Sequence, residues 1–132
     1  MGTDDLGKLV LRLTLGVLLL FHGVHKILTG IDPIRAMIGS HGLPDYLAYG
    51  VYAGEVLAPV LIIVGLFSRI GGVLVVLNMI VAILLVHTGM LTNLNDQGGY
   101  ALETQMFFLF GGAAVALLGA GRIAIGGEGP LN

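Results

Sequence analysis

The stretch LRLTLGVLLLFHGVHK, residues 11–26, is apolar apart from Arg12 and Thr14 as far as Phe21, then sets His22, His25 and Lys26 on one short segment. A run of this length and composition reads as a helix suited to the hydrocarbon of a bilayer, which asks for about 20 apolar residues per crossing. Histidine and lysine at its end sit badly with lipid. The spacing i, i+3, i+4 gives the three polar side chains one face, as convergence on a common object requires.

The rest of the chain repeats the apolar theme. Of its 132 residues, 56% are hydrophobic and 11% charged, and the mean hydropathy is +0.97. Soluble domains usually carry about 25% charged residues, so the composition predicts one integral membrane domain over residues 1–132. Four segments reach spanning length, at about 6–28, 45–67, 70–91 and 101–121. Strand-like alternation is lacking, so a transmembrane barrel is not expected. Backbone groups in lipid need partners within their own segment, which makes the expected fold all-α, an integral membrane four-helix bundle.

Local signals support these bounds. Thr3 with Asp4 and Asp5 reads as an N-cap and acidic first turn. Asp32-Pro33 opens a short helix through Ile38, ended by Gly39. Ser68-Arg69 reads as a short link between antiparallel spans two and three. Lys8 and Arg12 before an apolar run resemble the start of a signal peptide, but HGVHKILTG follows where a small-residue cleavage site would stand, so a retained helix is expected. Lys8, Arg12, Arg69 and Arg122 fall on one side and Lys26 and Arg35 on the other. That bias puts both termini in the cytoplasm, with the three arginines of the first group as ordinary interfacial anchors. A net charge of −2 gives no reason to expect nucleic acid, and a chain without cysteine holds no disulfide or thiolate metal site.

Depth assignments at about 1.5 Å per residue place the remaining polar residues in one layer. His22 lies about 9 Å from the outer end of span one, Glu55 about 15 Å down span two and His87 about 6 Å from the end of span three. Glu103 stands just inside span four. All four helices therefore contribute to the outer half of the bundle. Pro59, four residues after Glu55, has no N–H to offer the Glu55 carbonyl. Asn78 is nine residues before His87, about half a turn out of phase at roughly 100° per residue, and is expected in a separate helix–helix hydrogen bond. Gln105, on another face from Glu103, carries little weight. Gly111-Gly112-Ala113-Ala114 gives span four a small-residue stripe for close packing.

Each polar residue also has a structural reading. Lys26 can extend to the headgroups, Glu103 can complement the dipole of its helix, and Glu55 can form a salt bridge with Lys26 or a histidine. An acid near a helix centre costs about 2.5–3.5 kcal/mol on insertion scales, so Glu55 is the residue hardest to leave without a partner.

Together, LRLTLGVLLLFHGVHK, the GLP at 42–44, GEVLAPVLIIVGLFSR at 54–69, GGYALETQ at 98–105 and GAGR at 119–122 resemble the DoxX family of small four-helix bacterial membrane proteins. The resemblance implies roles for Gly23, Lys26, Glu55 and Glu103, which match the family pattern. The chain departs from it at Ala124-Ile125-Gly126, where a Ser-Leu-Asp ending is common. What the resemblance implies is an accessory part of a membrane redox or quinone-linked system in the bacterial plasma membrane, with other membrane or redox proteins as partners; a homo-oligomer is a separate expectation, which goes with a transporter. The expected site is a ligand-binding polar cluster of His22, His25, Lys26, Glu55, His87 and Glu103, with a quinone-like molecule as guest. A second reading makes His22, His25 and His87 ligands of a metal or haem. Further alternatives are a small proton-coupled transporter with Glu55 as its acid, and a scaffold whose polar layer fixes helix register.

Overall fold

A computed structural model describes residues 2–132. Its helices are α1 (Thr3–Thr29), α2 (Asp32–Ser40), α3 (Asp45–Val64), α4 (Ser68–Met90) and α5 (Glu103–Leu118). No strand occurs among the described residues, only an isolated antiparallel bridge between Leu94 and Tyr100. Helices α1, α3 and α4 are long and apolar enough to cross a membrane, while α5 is apolar but shorter at 16 residues.

The helix ends differ in detail from the sequence expectation. Gly2, not Thr3, is the residue before the first turn of α1, and its N–H donates to the Asp5 carboxylate at 3.2 Å. Asp32 and Pro33 are the first residues of α2 and Ile31 precedes them. Helix α3 stops at Val64 because Gly65 turns left-handed at φ 77°, a conformation that carries little penalty only for glycine. Ser68 and Arg69 therefore begin α4, and the link between the two helices is 65–67.

Helix α1 packs on α3 and α5, and α4 packs on the same two, so the four close a ring. Their shared core is Leu15 and Leu19 of α1, Ala58 and Ile62 of α3, Val75 and Met79 of α4, and Val115 of α5. The small residues expected to bring helices close do so between α4 and α5. A Cβ on Gly72 would lie 2.5 Å from the Gly112 carbonyl oxygen, and one on Gly112 3.0 Å from that of Gly72. Small residues at such crossings allow backbones to approach and gain dispersion contacts where lipid offers no hydrophobic drive.

Two π turns interrupt the ring helices, at Ala53–Leu57 in α3 and Ile83–His87 in α4. The first precedes Pro59. Since a proline both lacks an N–H and crowds the carbonyl four residues back, a wider turn there gives the backbone room: the Ala58 N–H reaches the Ala53 carbonyl.

The two ends of the bundle are built differently. Both described termini lie together at one end, where the Asp5 carboxylate accepts the Arg122 N–H at 3.1 Å. Helix α2 and loop 91–102 occupy the opposite, distal end. There Ile31 and Ile38 pack with Ala48, Val51, Tyr52 and Leu85, so α2 covers the distal parts of α3 and α4. The Arg35 guanidinium donates to Asp45 at 2.9 Å, tying α2 to the start of α3.

Arg12 and Arg69 are not interfacial anchors. Arg12 is 1% exposed and donates to the carbonyls of Ile62, Ile63, Ala120 and Ile123 at 2.9, 3.1, 2.8 and 2.7 Å. The last carbonyls of a helix have no partner within it, and a guanidinium answers that need with a fork of donors and a charge favoured by the helix dipole. Arg69 does the same for Ala116 and Leu117 at the end of α5, at 2.9 and 2.7 Å. Asn132 completes the terminal end, accepting from the Ser68 N–H and donating to the Gly65 carbonyl, both at 2.9 Å. Of the three arginines, only Arg122 keeps an exposed side chain, near Glu128 at 3.7 Å.

Candidate functional site

Toward the distal end, the ring of helices leaves space between its members. It encloses a cavity of about 230 Å³ to which all four helices contribute. Helix α1 brings Leu19, His22 and Lys26, and α3 brings Glu55. Met79, Ala82 and His87 come from α4, and Thr104, Gln105 and Phe108 from α5.

Glu55 is the fixed centre. Its side chain is 6% exposed and both carboxylate oxygens are taken. Lys26 Nζ forms an ion pair with Oε1, and Asn78 Nδ2 donates to Oε2 at 3.0 Å. One carboxylate thus joins α1, α3 and α4. A buried carboxylate without such partners would carry the cost of leaving water; here charge and hydrogen bond offset it.

Two glycines make the arrangement sterically feasible. A Cβ on Gly23 would stand 2.6 Å from the carbonyl carbon of Glu55, overlapping the carbonyl that Pro59 leaves without its usual helical donor. A Cβ on Gly54 would similarly meet the Asn78 side chain, 2.5 Å from its Cγ. Lys26 therefore reaches Glu55 because α1 can touch α3 at Gly23, one turn before it.

Asn78 corrects the sequence reading. It does make a helix–helix hydrogen bond, but to Glu55 itself, so it belongs to the polar layer. The cause is the π turn at Ile83–His87. Such a turn takes up one residue more than an α turn, so nine residues rotate like eight and the offset falls from about half a turn to about 80°. No signal in the residues marked that turn.

His22 and His87 line the cavity from opposite helices. The His22 ring meets Phe108 edge to face, with centroids 5.6 Å apart. His87 Nδ1 is buried without a hydrogen-bond partner among the described residues. His25 does not line the cavity and is exposed: the i+3 step from His22 carries it round α1 and away from α3. Glu103 is also exposed and outside the lining. Its carboxylate lies over Gly99, where an added Cβ would be 2.9 Å from Oε2. From α5 it is Thr104 and Gln105 that turn inward, and Gln105 is the residue to which sequence reasoning gave little weight.

Among the described residues no three His, Cys, Asp or Glu side chains gather into a group able to hold a metal ion. His22, His25 and His87 therefore do not gather into one three-ligand group. Outside the spanning helices, the hydrogen bond and charge of Asp45, with smaller help from Tyr49 and Asp32, hold the Arg35 guanidinium above its ordinary pKa.

Fold and site together define an all-helical membrane protein with an ion pair buried beside a small polar cavity. The chain belongs to the DoxX family, whose profile matches residues 7–88, the stretch that holds Lys26, Glu55, Asn78 and His87. It is 39% identical over 82 residues to the Bacillus subtilis (strain 168) protein named "Putative oxidoreductase CatD". That alignment takes in 62% of this chain and 60% of the relative, so the chain spans less than two thirds of the relative's length. No solved structure matches it.

Proposed function

We propose that this chain is an accessory subunit of a quinone-linked redox system in a bacterial plasma membrane, binding a small quinone-like molecule in the distal cavity. In this reading α5 makes a fourth crossing, the terminal end faces the cytoplasm, and the cavity lies in the outer half of the bilayer. Partner membrane or redox proteins, or further copies of the chain, surround the bundle and deliver the electrons.

The observation that carries the proposal is the Glu55 carboxylate, held by Lys26 and Asn78 against a cavity that also receives His22 and His87. Quinone carbonyls accept hydrogen bonds, and Lys26, Gln105 and Thr104 can donate them. Quinone reduction also consumes protons, and imidazoles beside a carboxylate can pass protons to a ring held between them. An oxidoreductase name on the CatD relative supports a redox setting. The volume suits one ring: about 230 Å³ is below the roughly 300–1,000 Å³ of drug-sized pockets.

The test is binding of a short-chain quinone to the purified protein in lipid nanodiscs, read by quenching of its tyrosine fluorescence. Saturable binding that weakens at least tenfold in His87→Ala and in Glu55→Gln is the expected result. Equal binding by both variants and the native chain would end the proposal. A scaffold reading has one observation in its favour, because the Lys26–Glu55–Asn78 contacts tie three helices whether or not a guest is present. Complex assembly that survives Glu55→Gln would tell against it.

A further inference from the structure

The polar groups of the cavity fall into two sets. Lys26 and Glu55 neutralise each other, and Asn78 occupies the other carboxylate oxygen, so the charged floor is already satisfied. Thr104 and Gln105 add dipoles but no charge, and His87 Nδ1 is left without a partner. A charged guest would find no unbalanced counter-ion in Lys26 or Glu55, while a neutral one with carbonyl or hydroxyl groups finds dipoles to meet.

Exposure shows where such a guest would enter. Glu55 is 5% exposed, whereas His22 and Thr104, lining the same space, are exposed. These two belong to α1 and α5. The helices touch where Leu15 reaches Gly111, 3.2 Å from an ideal Cβ there, and where His22 meets Phe108. Of the connecting segments at the distal end, α2 covers α3 and α4, and loop 91–102 joins α4 to α5 with backbone bonds to itself and to their ends. The mouth therefore lies in the seam between α1 and α5. Its surroundings are apolar: Leu18, one turn before His22, is 50% exposed, and Phe107, one turn after Thr104, is 82% exposed. Side chains of that kind at that exposure suit acyl chains, not water.

We infer that the cavity is filled sideways from the bilayer, through the α1–α5 seam, by a neutral lipid-dissolved molecule. The ligand half of this inference rests on the proposed function and narrows it to the membrane-dissolved, uncharged form of the guest. The seam half stands on geometry alone.

The chain has no cysteine, so a single introduced thiol reports without background. Spin labels at Thr104→Cys, at Phe107→Cys as a lipid-facing reference and at Asn95→Cys as a water-facing one would be compared in reconstituted vesicles. The readout is collision with oxygen, which concentrates in lipid, and with a water-soluble nickel chelate. The Thr104 label is expected to follow Phe107, with nickel collisions several-fold below those at Asn95. Nickel collisions equal to those at Asn95 would overturn the lateral mouth. His22→Cys provides the same comparison should Thr104→Cys fail to fold.

A second arm adds a neutral short-chain quinone to the vesicles, or a sulfonated analogue to the water. Loss of oxygen collisions at Thr104 with the neutral compound alone is the expected outcome. Protection by the sulfonated analogue would overturn the neutral guest, and protection by neither would remove the quinone as ligand together with the proposed function. Because the collision measurement needs no ligand, the seam is judged separately in every case.

Discussion

The terminal end and the distal cavity meet the same difficulty, polar groups in a medium of low dielectric, and resolve it in opposite ways. At the terminal end the ionised groups serve the backbone. Arg12 alone satisfies four carbonyls, Arg69 two more, and the tail folds back to pair with Val64 and Gly65. In the cavity the ionised groups serve each other: Lys26 and Glu55 meet side chain to side chain, with empty volume beside them. The first arrangement satisfies backbone carbonyls while leaving Ser68 Oγ and Arg69 Nε without partners; the second leaves His87 Nδ1 without one. The difference separates what holds the bundle together from what the bundle is able to bind.

Removing the strongest element of the terminal end should separate the regions most clearly. Arg12→Met leaves two buried and two part-buried carbonyls without this donor and should cost about 4 kcal/mol, since each unsatisfied buried group costs roughly 1–3 kcal/mol. Arg12→Lys should recover little, because one ammonium cannot copy the planar fork. Unfolding of the reconstituted protein in mixed micelles measures both. Stability equal to the native chain would mean the terminal end is not what closes the bundle.

A smaller loss is expected in the cavity. Lys26→Met strands the Glu55 carboxylate and should destabilise by about 3 kcal/mol, whereas Lys26→Met with Glu55→Met should recover most of it. The comparison is a double-mutant cycle in the same micelles. A double variant that loses as much as Lys26→Met and Glu55→Met added together would show that the ion pair contributes nothing beyond its separate parts.

Gly23→Ala forces α1 away from the Glu55 carbonyl and should cost about 2 kcal/mol as an overpacked contact. Its more informative effect is on function, because Lys26 would withdraw from Glu55 and quinone binding should fall with stability still partly kept. Unchanged binding in that variant would break the link between helix contact and site. At the bottom of the scale, Glu103→Gln should alter stability by less than about 0.5 kcal/mol, as an exposed position away from the cavity. A larger loss of binding than in Glu55→Gln would return Glu103 to the site.

Much of the helical plan was legible because hydropathy is a sum over many residues, and no single misreading alters it. The convergence of His22, Lys26, Glu55 and His87 on one level was legible for a related reason: rise per residue is nearly constant, so depth follows from counting. Direction around the helix was not so secure. His25 shares a nominal face with His22 yet points outside, and Glu103 yields its place to Thr104 and Gln105. Angular errors accumulate where depth errors do not, and one π turn was enough to move Asn78 relative to His87. Arg12 was misread because a cationic residue near a span end usually does anchor at the headgroups, and nothing local announces that its partners lie 50 and 108 residues away.

The chain by itself therefore determined that there is a membrane domain, roughly where its helices run, and that an acid in α3 had to find company. Only the folded molecule decided which company. Helix contacts of a few ångströms, permitted by Gly23 and Gly54 and turned by π distortions, select Lys26 and Asn78 for Glu55 and consign Arg12 to the backbone. Hydrophobic segregation is additive along a sequence, while the pairing of individual polar atoms depends on angles and distances that exist only once four helices have met.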